Sequence, residues 1–203
     1  MIEKPAVTDS KINKVIAERW SGRAFDAKTP VSDDAILSLC EAARWAPSCY
    51  GDQPWRFLVW NKFQDEVSWK KAVDTLSPGN QDWAKNAPLL ILAASVETFS
   101  HNNNDNRWVG YDTGAASMSL CLQATSLGLM SHQMGGFDND KVKQLAQLPA
   151  EITCWSMIAI GFPAALDGLT EEQLERELKA RERRPLSEQF FSGAWNTPLT
   201  SGE

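Results

Sequence analysis

Arginine, the residue type best suited to binding phosphate groups, clusters at two places far apart in the sequence. One cluster is RWSGR, residues 19–23, and the other is RERR, residues 181–184. A guanidinium donates paired hydrogen bonds to phosphate oxygens, so arginines from both clusters could bind one phosphate together. Arg19 also falls on the apolar stripe of a predicted helix, where a buried charge needs an anionic partner. An arginine that only extends into solvent from the helix end is the alternative interpretation.

Two loops have the composition expected where a backbone lies close to a ligand. MGGFD, residues 134–138, places two glycines directly after a predicted strand, and glycines let backbone amides approach a flat ligand closely. APSCYGDQPWRF, residues 46–57, joins a predicted helix to the next strand. Neither the GxGxxG fingerprint nor the P-loop motif occurs, so the sequence supports neither a Rossmann dinucleotide site nor a P-loop.

Cysteine and histidine are too scattered to predict a metal site or a catalytic pair. The four cysteines show no CxxC spacing, and the chain has only two histidines. A zinc site therefore has little support. A hydrolase with Cys49 as nucleophile and His101 or His132 as base is an alternative that nothing in the spacing favours.

The overall charge and composition argue against several classes of partner. The chain has 203 residues, with 20 Lys and Arg against 26 Asp and Glu and a net charge of −6, which disfavours nucleic-acid or anionic-membrane binding. Residues 1–16 contain no basic stretch followed by an apolar run, so no secretory signal is expected and a cytoplasmic location is predicted. The uncharged run 113–137 is interrupted by polar residues, which favours a buried central or interface helix over a membrane helix.

Hydrophobic periodicity predicts four strands interleaved with five or six helices, as one domain over residues 1–203. The predicted strands cover residues 56–60, 89–96, 130–134 and 153–161. The predicted helices cover residues 12–20, a segment from Ser32 to Pro47, 64–76, a long segment ending near Gly128, 138–148, and a last segment that starts at Thr170 and ends in ARERR. SPGN, residues 77–80, is predicted to be a turn. This pattern predicts a mixed sheet covered by helices.

These motifs, in this order, resemble the FMN-dependent nitroreductase family from about residue 10 to residue 190. The matching segments are RxSxRxF at 19–25, APS and QPW within 46–55, GN at 79–80, GAA at 114–116, GL at 128–129, GGFD at 135–138, IGFP at 160–163 and the arginine-rich close at 181–185. Two residues depart from the family pattern. Gly51 stands where the family usually has Asn, and Gly135 stands where some members have an acidic residue. Both departures bear on the substrate and nicotinamide preferences.

The resemblance implies an α+β fold, a three-layer α/β/α sandwich whose mixed, mainly antiparallel central sheet is covered by helices. It also implies a domain-swapped homodimer with FMN sites at the subunit interface. The C-terminal extension, residues 187–203, carries aromatic residues without a clear period and would expose a sizeable apolar tail in a monomer. We therefore predict that this extension packs on the partner subunit.

The resemblance also implies which residues bind the cofactor. They are Arg19, Trp20, Ser21, Arg23, Pro47, Ser48, Cys49, Asn80, Gly135, Gly136, Arg181 and Arg183. The arginines and the serine of the first cluster would hold the FMN phosphate, ribityl chain and pyrimidine edge, and the two C-terminal arginines would complete the phosphate site. The paired glycines would face flavin N5, and the asparagine would hydrogen-bond the pyrimidine side. The Pro-Ser-Cys segment would contact the flavin bound mainly by the other subunit.

The implied reaction is a ping-pong cycle in which NADH or NADPH reduces flavin N5 and a flat acceptor, such as a nitroaromatic or a quinone, then takes its place. No catalytic side chain is required, and Arg23 would stabilise the anionic reduced flavin. Trp108 and Tyr111 could line the acceptor pocket, with ordinary helix packing as the alternative. The sequence is also compatible with a flavin-binding sensor, with a flavin-consuming or dehalogenating relative of the family, and with a non-enzymatic interaction protein.

Overall fold

A four-strand sheet lies at the centre of the computed structural model, which describes residues 4–199. The strands are β1 Trp55–Asn61, β2 Leu89–Val96, β3 Met130–Met134 and β4 Ile152–Gly161, in the order β1-β2-β4-β3. All three pairings are antiparallel, so the prediction of a mixed sheet is wrong for the described residues. The strands β2 and β3 run in the same direction, but β4 lies between them and no parallel pair forms.

Helices flank this sheet, and their bounds differ from the predictions mainly at the ends. They are α1 Lys14–Glu18, α2 Asp33–Arg44, α3 Glu66–Val73, α4 Pro78–Ala84, α5 Val109–Ser126, α6 Asn139–Ala146 and α7 Glu171–Leu178. The predicted caps are confirmed at two of them. The Ser32 side chain accepts from the Ala35 N–H at the start of α2, and Thr170 forms a reciprocal capping box with Gln173 at the start of α7.

Both faces of the sheet are covered, which accounts for the continuous apolar sequence of β2. Successive side chains of a strand point to opposite faces. The odd-numbered residues from Leu89 to Ala93 pack with α2 and α5, and the even-numbered residues from Leu90 to Ala94 pack with α3 and α6. All of them are fully buried. The described residues thus form three layers, helices, sheet and helices, in agreement with the predicted sandwich.

The first helix is shorter and less buried than predicted. It ends at Glu18, because Arg19 adopts an extended backbone with a ψ of 121°. No residue of α1 is buried, and Ile16, on its apolar stripe, is exposed. Arg19 therefore lies at the end of an exposed helix, and the argument that placed its charge on a buried face is wrong.

Two other boundaries were also predicted wrongly. SPGN is the start of α4 and not a turn, with Ser77 as N-cap and Pro78 at the first helical position. Proline suits that position because its fixed φ is helical and no N–H is needed there. At the other end of the chain, α7 stops at Leu178 because Lys179 has a ψ of 131°, so the arginines of ARERR follow the helix as an extended segment.

The long helix that contains the start of the uncharged run, α5, is confirmed as a buried element. Eight of the 18 residues of α5 are buried, and the helix packs against α2 and the sheet. Within residues 4–199, no helix is long and apolar enough to cross a membrane.

Residues 190–199 fold back on themselves at the end of the described chain. Phe191 pairs with Pro198, and the Leu199 N–H donates to the Phe190 carbonyl at 2.9 Å. Trp195 is 82% exposed. The packing of this extension on a partner subunit stays a prediction, and its last residues, 200–203, lie outside the described chain.

Candidate functional site

The two arginine clusters meet in a cavity of about 330 Å³. Seven basic side chains line it, namely Lys4, Arg19, Arg23, Arg176, Lys179, Arg181 and Arg183. The cavity wall also includes Trp20, Ser21 and two acidic residues, Glu177 and Glu182. All the residues predicted for the phosphate region thus lie together, although Arg19 and Arg181 are 162 residues apart in sequence. The excess of basic side chains suits an anionic ligand.

The end of α1 supplies the first part of this cavity. The guanidinium of Arg19 lies 3.4 Å from the hydroxyl oxygen of Ser21, so a cation and a hydroxyl donor face the same space. The last carbonyls of a helix have no partner within the helix. At α1 these carbonyls accept from Arg181, whose guanidinium donates to Ala17 at 2.8 Å and to Arg19 at 3.1 Å.

Arg181 therefore has a structural role that sequence reasoning missed. Its guanidinium also donates to the Lys4 carbonyl, so it joins the N-terminal segment, the end of α1 and the extended C-terminal segment. Burial lowers the pKa of Arg181, and the charges of Arg19 and Arg183 lower it further. The exposed Arg183 donates only to the neighbouring Glu182 carbonyl, at 2.7 Å.

Glu177 is a second residue of the cavity that was missed. It is only 3% exposed, and its Oε1 accepts from the Arg23 N–H at 2.9 Å. Burial raises the pKa of Glu177, while the Arg23 N–H and the charges of Lys4 and Arg23 lower it. A signal was present, because Glu177 follows Leu174 by three residues and shares its helix face. A carboxylate on an apolar helix face needs a hydrogen-bond or charge partner when it is buried.

The glycine pair follows directly after β3, beside the start of α4. The Gly136 carbonyl accepts from the Ser77 N–H at 2.9 Å and from the Asn80 side chain at 3.0 Å. A Cβ at Gly136 would lie 2.7 Å from Ser77 Oγ and 2.9 Å from Asn80 Nδ2, so a side chain there would require Ser77 or Asn80 to shift. At Gly135, in contrast, a Cβ would have no atom within 4 Å, so the space beside this residue is open. The structure thus joins two predicted parts of the site, Asn80 and the glycines.

Strand β3 connects the glycine pair to the arginine cavity. His132 Nδ1 lies 3.0 Å from the Gly22 carbonyl, and the ring packs on Trp83 at 4.5 Å between centroids. Gly135 follows His132 by three residues, about 10 Å along an extended strand. The arginine cavity and the glycine turn therefore lie along one edge of the sheet.

The loop before β1 lies at the opposite edge of the sheet and is bonded to the start of α5, which carries the predicted acceptor-pocket residues. The Cys49 N–H donates to Asp112 Oδ2 at 3.0 Å, which holds the Pro47-Ser48-Cys49 segment against the start of α5. Trp108 and Tyr111 lie at the same helix end, edge to face at 6.3 Å, and Tyr111 is 77% exposed. The edge strands β1 and β3 are three strand spacings apart, about 14 Å. Among the described residues, the Pro47-Ser48-Cys49 segment therefore lies apart from the arginine cavity.

The backbone of this loop explains the glycine at position 51. Tyr50, Gly51 and Gln53 all have left-handed conformations, with φ of 54°, 67° and 51°. Glycine adopts this region without strain, and asparagine tolerates it better than most other residues. The replacement of the usual Asn by Gly51 therefore keeps the loop conformation that position requires.

Neither histidine is hydrogen-bonded to Cys49 in the described chain. His132 is bonded to Gly22 at the opposite edge of the sheet, and the ring of His101 packs on Tyr50 and Phe99. The arrangement does not support a Cys-His hydrolase.

A protein-family model described as "Nitroreductase family" matches residues 16–162. This chain belongs to the nitroreductase family. The match confirms the resemblance and covers the first arginine cluster, the 46–57 loop and the glycine pair, but it ends before Arg181.

Individual relatives agree with this nitroreductase family assignment. A solved structure of an oxidoreductase containing FMN superposes with a TM-score of 0.87 at 33% identity, covering 97% of this chain and 100% of that chain. The oxygen-insensitive NADPH nitroreductase of Helicobacter acinonychis (strain Sheeba) is 26% identical over 165 residues, which cover 80% of this chain and 76% of that protein. The solved structure extends the similarity through the C-terminal arginine segment.

Proposed function

We propose that this member of the nitroreductase family is an FMN-dependent oxidoreductase that uses NADH or NADPH to reduce a flat acceptor such as a nitroaromatic or a quinone. One observation carries the proposal: the arginine cavity and the Gly135-Gly136 turn lie along the same edge strand. FMN has a phosphate at one end and a flat ring system at the other, and a chain joins the two. The solved relative that contains FMN supports this choice of cofactor.

The residues of the cavity fit FMN by charge and by space. Arg19, Ser21 and Arg23 would bind the phosphate end with Arg183, while Arg181 would brace the cavity and add its charge. The open space beside Gly135 would let the ring approach the backbone, and Asn80, held at Gly136, would face its pyrimidine side. Bound FMN supplies the hydride transfer, so no side chain need act as nucleophile or general base.

We propose that the site is completed by a second copy of the chain. Pro47, Ser48 and Cys49 lie at the edge opposite the arginine cavity and are bonded to the start of α5, which carries Trp108 and Tyr111. In a homodimer, the partner's copy of this group would cover the ring side of FMN and contribute aromatic surface to the acceptor pocket. This arrangement would account for the distance between the Pro47-Ser48-Cys49 segment and the arginine cavity within one chain.

The first test of the proposal is the flavin content and affinity of the Arg19→Ala variant. We expect the Kd for FMN to rise by about tenfold or more, because a charge-assisted contact to phosphate is lost. The control is Arg44→Ala, which removes an exposed arginine that pairs with Glu41 on α2 and should bind FMN like the parent protein. Flavin absorbance and fluorescence titration measure both. Arg19→Ala protein that keeps its full, tightly held flavin would contradict the assignment.

Anaerobic mixing with each nicotinamide separates the reductase from the flavin-binding alternatives. An NAD(P)H oxidoreductase should lose flavin absorbance rapidly with at least one of NADH and NADPH. A flavin-bound protein that is reduced by neither would favour a sensor or a flavin-consuming relative. A colourless protein that takes up no added FMN would contradict the proposed function altogether.

A further inference from the structure

One peptide group in the first arginine cluster is hydrogen-bonded on both sides by ionisable side chains from distant parts of the chain. The Arg23 N–H donates to Glu177 Oε1 at 2.9 Å, and the Gly22 carbonyl accepts from His132 Nδ1 at 3.0 Å. These two groups belong to the same planar peptide and point in opposite directions. Bonds from both sides therefore fix the rotation of this plane, and with it the direction in which the Arg23 side chain leaves the backbone.

The loop depends on such external partners because Gly22 supplies no conformational restraint of its own. Glycine is the residue with the widest range of backbone conformations. It also suits the close packing here, since a Cβ at Gly22 would overlap Met130 Sδ and lie 3.0 Å from Glu177 Oε2. The close packing that excludes a side chain thus brings the Glu177 carboxyl group against the peptide it holds.

Glu177 also links the two halves of the arginine cavity. It lies on α7, whose extended continuation carries Arg181 and Arg183, while its carboxyl group binds the loop that carries Arg23. Lys4 links the N-terminal segment to the same residues. Its ammonium donates to the Glu177 carbonyl at 2.7 Å and lies 4.4 Å from the centre of the Trp20 ring. Glu177 therefore sets the relative position of the two arginine groups together with Arg181.

We propose that Glu177 is a positioning residue for the phosphate of FMN, which acts with His132 by fixing the Gly22–Arg23 peptide. This inference rests on the proposed function. The role depends on the length of the side chain and on its oxygen acceptor, and not on its negative charge. A carboxylate beside a phosphate opposes phosphate binding by like charge, so charge alone gives no reason to place an acid here. Positioning does give one, because a short loop with a glycine needs an acceptor at a fixed distance.

Basic side chains surround Glu177. It faces Lys4 from the N-terminal segment and Arg23 from the loop, and Arg176 and Lys179 lie on its own side of the cavity. Burial raises the pKa of Glu177, while the Arg23 N–H and the charges of Lys4 and Arg23 lower it, so a variant comparison is needed to separate the role of the charge from that of the oxygen acceptor. Glutamine keeps the length of the side chain and a carbonyl oxygen as acceptor. Aspartate keeps the charge, but its side chain is one methylene shorter, so its carboxyl group lies farther from the Arg23 N–H.

The experiment compares Glu177→Gln with Glu177→Asp by titrating FMN and riboflavin, which lacks the phosphate, against full-length protein. We expect Glu177→Asp to lower the ratio of FMN affinity to riboflavin affinity by about tenfold, through the lost hydrogen bond, and Glu177→Gln to stay within about threefold of the parent. The control is Glu175→Gln, an exposed position on the same helix, which should leave the ratio unchanged. A merely structural role would weaken both flavins equally and leave the ratio unchanged in every variant.

Each result supports or overturns the inference. Parent-like ratios in both Glu177 variants, or a loss in Glu177→Gln with retention in Glu177→Asp, would overturn it while leaving the proposed function intact. If Glu177→Asp does not fold, His132→Asn and His132→Leu provide the same comparison, since only asparagine keeps a donor near the Nδ1 position. Parent protein that binds no FMN, or binds it no more tightly than riboflavin, would instead contradict the proposed function itself.

Discussion

At the scale of single residues, His132 responds to pH through its place beside the first arginine cluster. Burial lowers the pKa of His132, and the charges of Arg23 and Arg19 lower it further, while its hydrogen bond to the Gly22 carbonyl opposes them. That carbonyl can only accept, so in the neutral ring Nδ1 carries the proton. The folded protein therefore favours neutral His132 more than the unfolded chain does.

This preference predicts how stability depends on pH. The contribution of neutral His132 is present above the ordinary histidine pKa of about 6.5 and is lost as the pH falls below it, since the unfolded chain then binds a proton more readily. As the pH falls from about 7 to about 5, we expect the free energy of unfolding to decrease less in His132→Asn than in the parent protein. Urea denaturation at several pH values measures this difference.

The matched control for this pH dependence is His101→Asn, which removes the other histidine from an exposed loop. It should follow the parent protein across the same pH range. Identical pH dependence in the parent and His132→Asn would show that the buried ring does not titrate as argued.

At the scale of elements, the turn between β3 and α6 is fixed by α4. Ser77, the N-cap of α4, and Asn80, in its first turn, bind the Gly136 carbonyl, and the Asp138 N–H donates to the Thr75 carbonyl at 2.7 Å. The start of α4 therefore holds the glycine pair in position. SPGN has the composition of a turn but forms the start of a helix. In this conformation the Ser77 N–H and the Asn80 side chain both donate to the Gly136 carbonyl.

The two adjacent glycines of this turn should respond differently to the same substitution. Gly136→Ala places a methyl group 2.7 Å from Ser77 Oγ, and we expect it to lower the free energy of unfolding by about 1–3 kcal/mol through overpacking. Gly135→Ala meets no atom within 4 Å and should change the stability little. Urea denaturation of both variants measures the contrast. Equal losses in both would mean that the close contact at Gly136 relaxes without cost.

At the scale of the whole molecule, one side of the chain presents apolar surface that the described residues leave uncovered. Tyr111 and Met118 lie on the outward side of α5, and Leu37 is exposed on the neighbouring α2. Trp195 adds a further exposed aromatic ring in the C-terminal extension. Exposed apolar side chains of this kind are available for contact with a partner chain. It supports the proposed homodimer, in which each chain would complete the other's site.

The C-terminal extension offers a test of this assembly. Truncation after Leu186 keeps all the cavity arginines but removes Trp195 and its neighbours. We expect it to weaken the dimer, because the apolar area buried between subunits decreases. Sedimentation velocity over a range of concentrations measures this, with truncation after Leu199 as the control. A sedimentation profile that is unchanged after the longer truncation would count against packing on the partner.

Some features of this protein follow from short stretches of sequence. The bounds of β2 and β3 agree with the predictions, as do the Ser32 cap and the Thr170 capping box. Each depends on residues within a few positions of one another, where apolar periodicity and capping chemistry act. The motif order was also sufficient to predict the family, because it is a property of the linear sequence.

Other features were decided by contacts between residues far apart in the chain. Arg181 and Arg19 are 162 residues apart, and Glu177 and Arg23 are 154 apart, yet these pairs shape the cavity. They also account for the extended backbone after α1 and α7, which local helix propensity does not predict. The antiparallel sheet depends likewise on the insertion of β4 between β2 and β3. Local sequence sets which elements can form, but the pairing of distant segments depends on the whole chain, because those contacts exist only once the fold has brought them together.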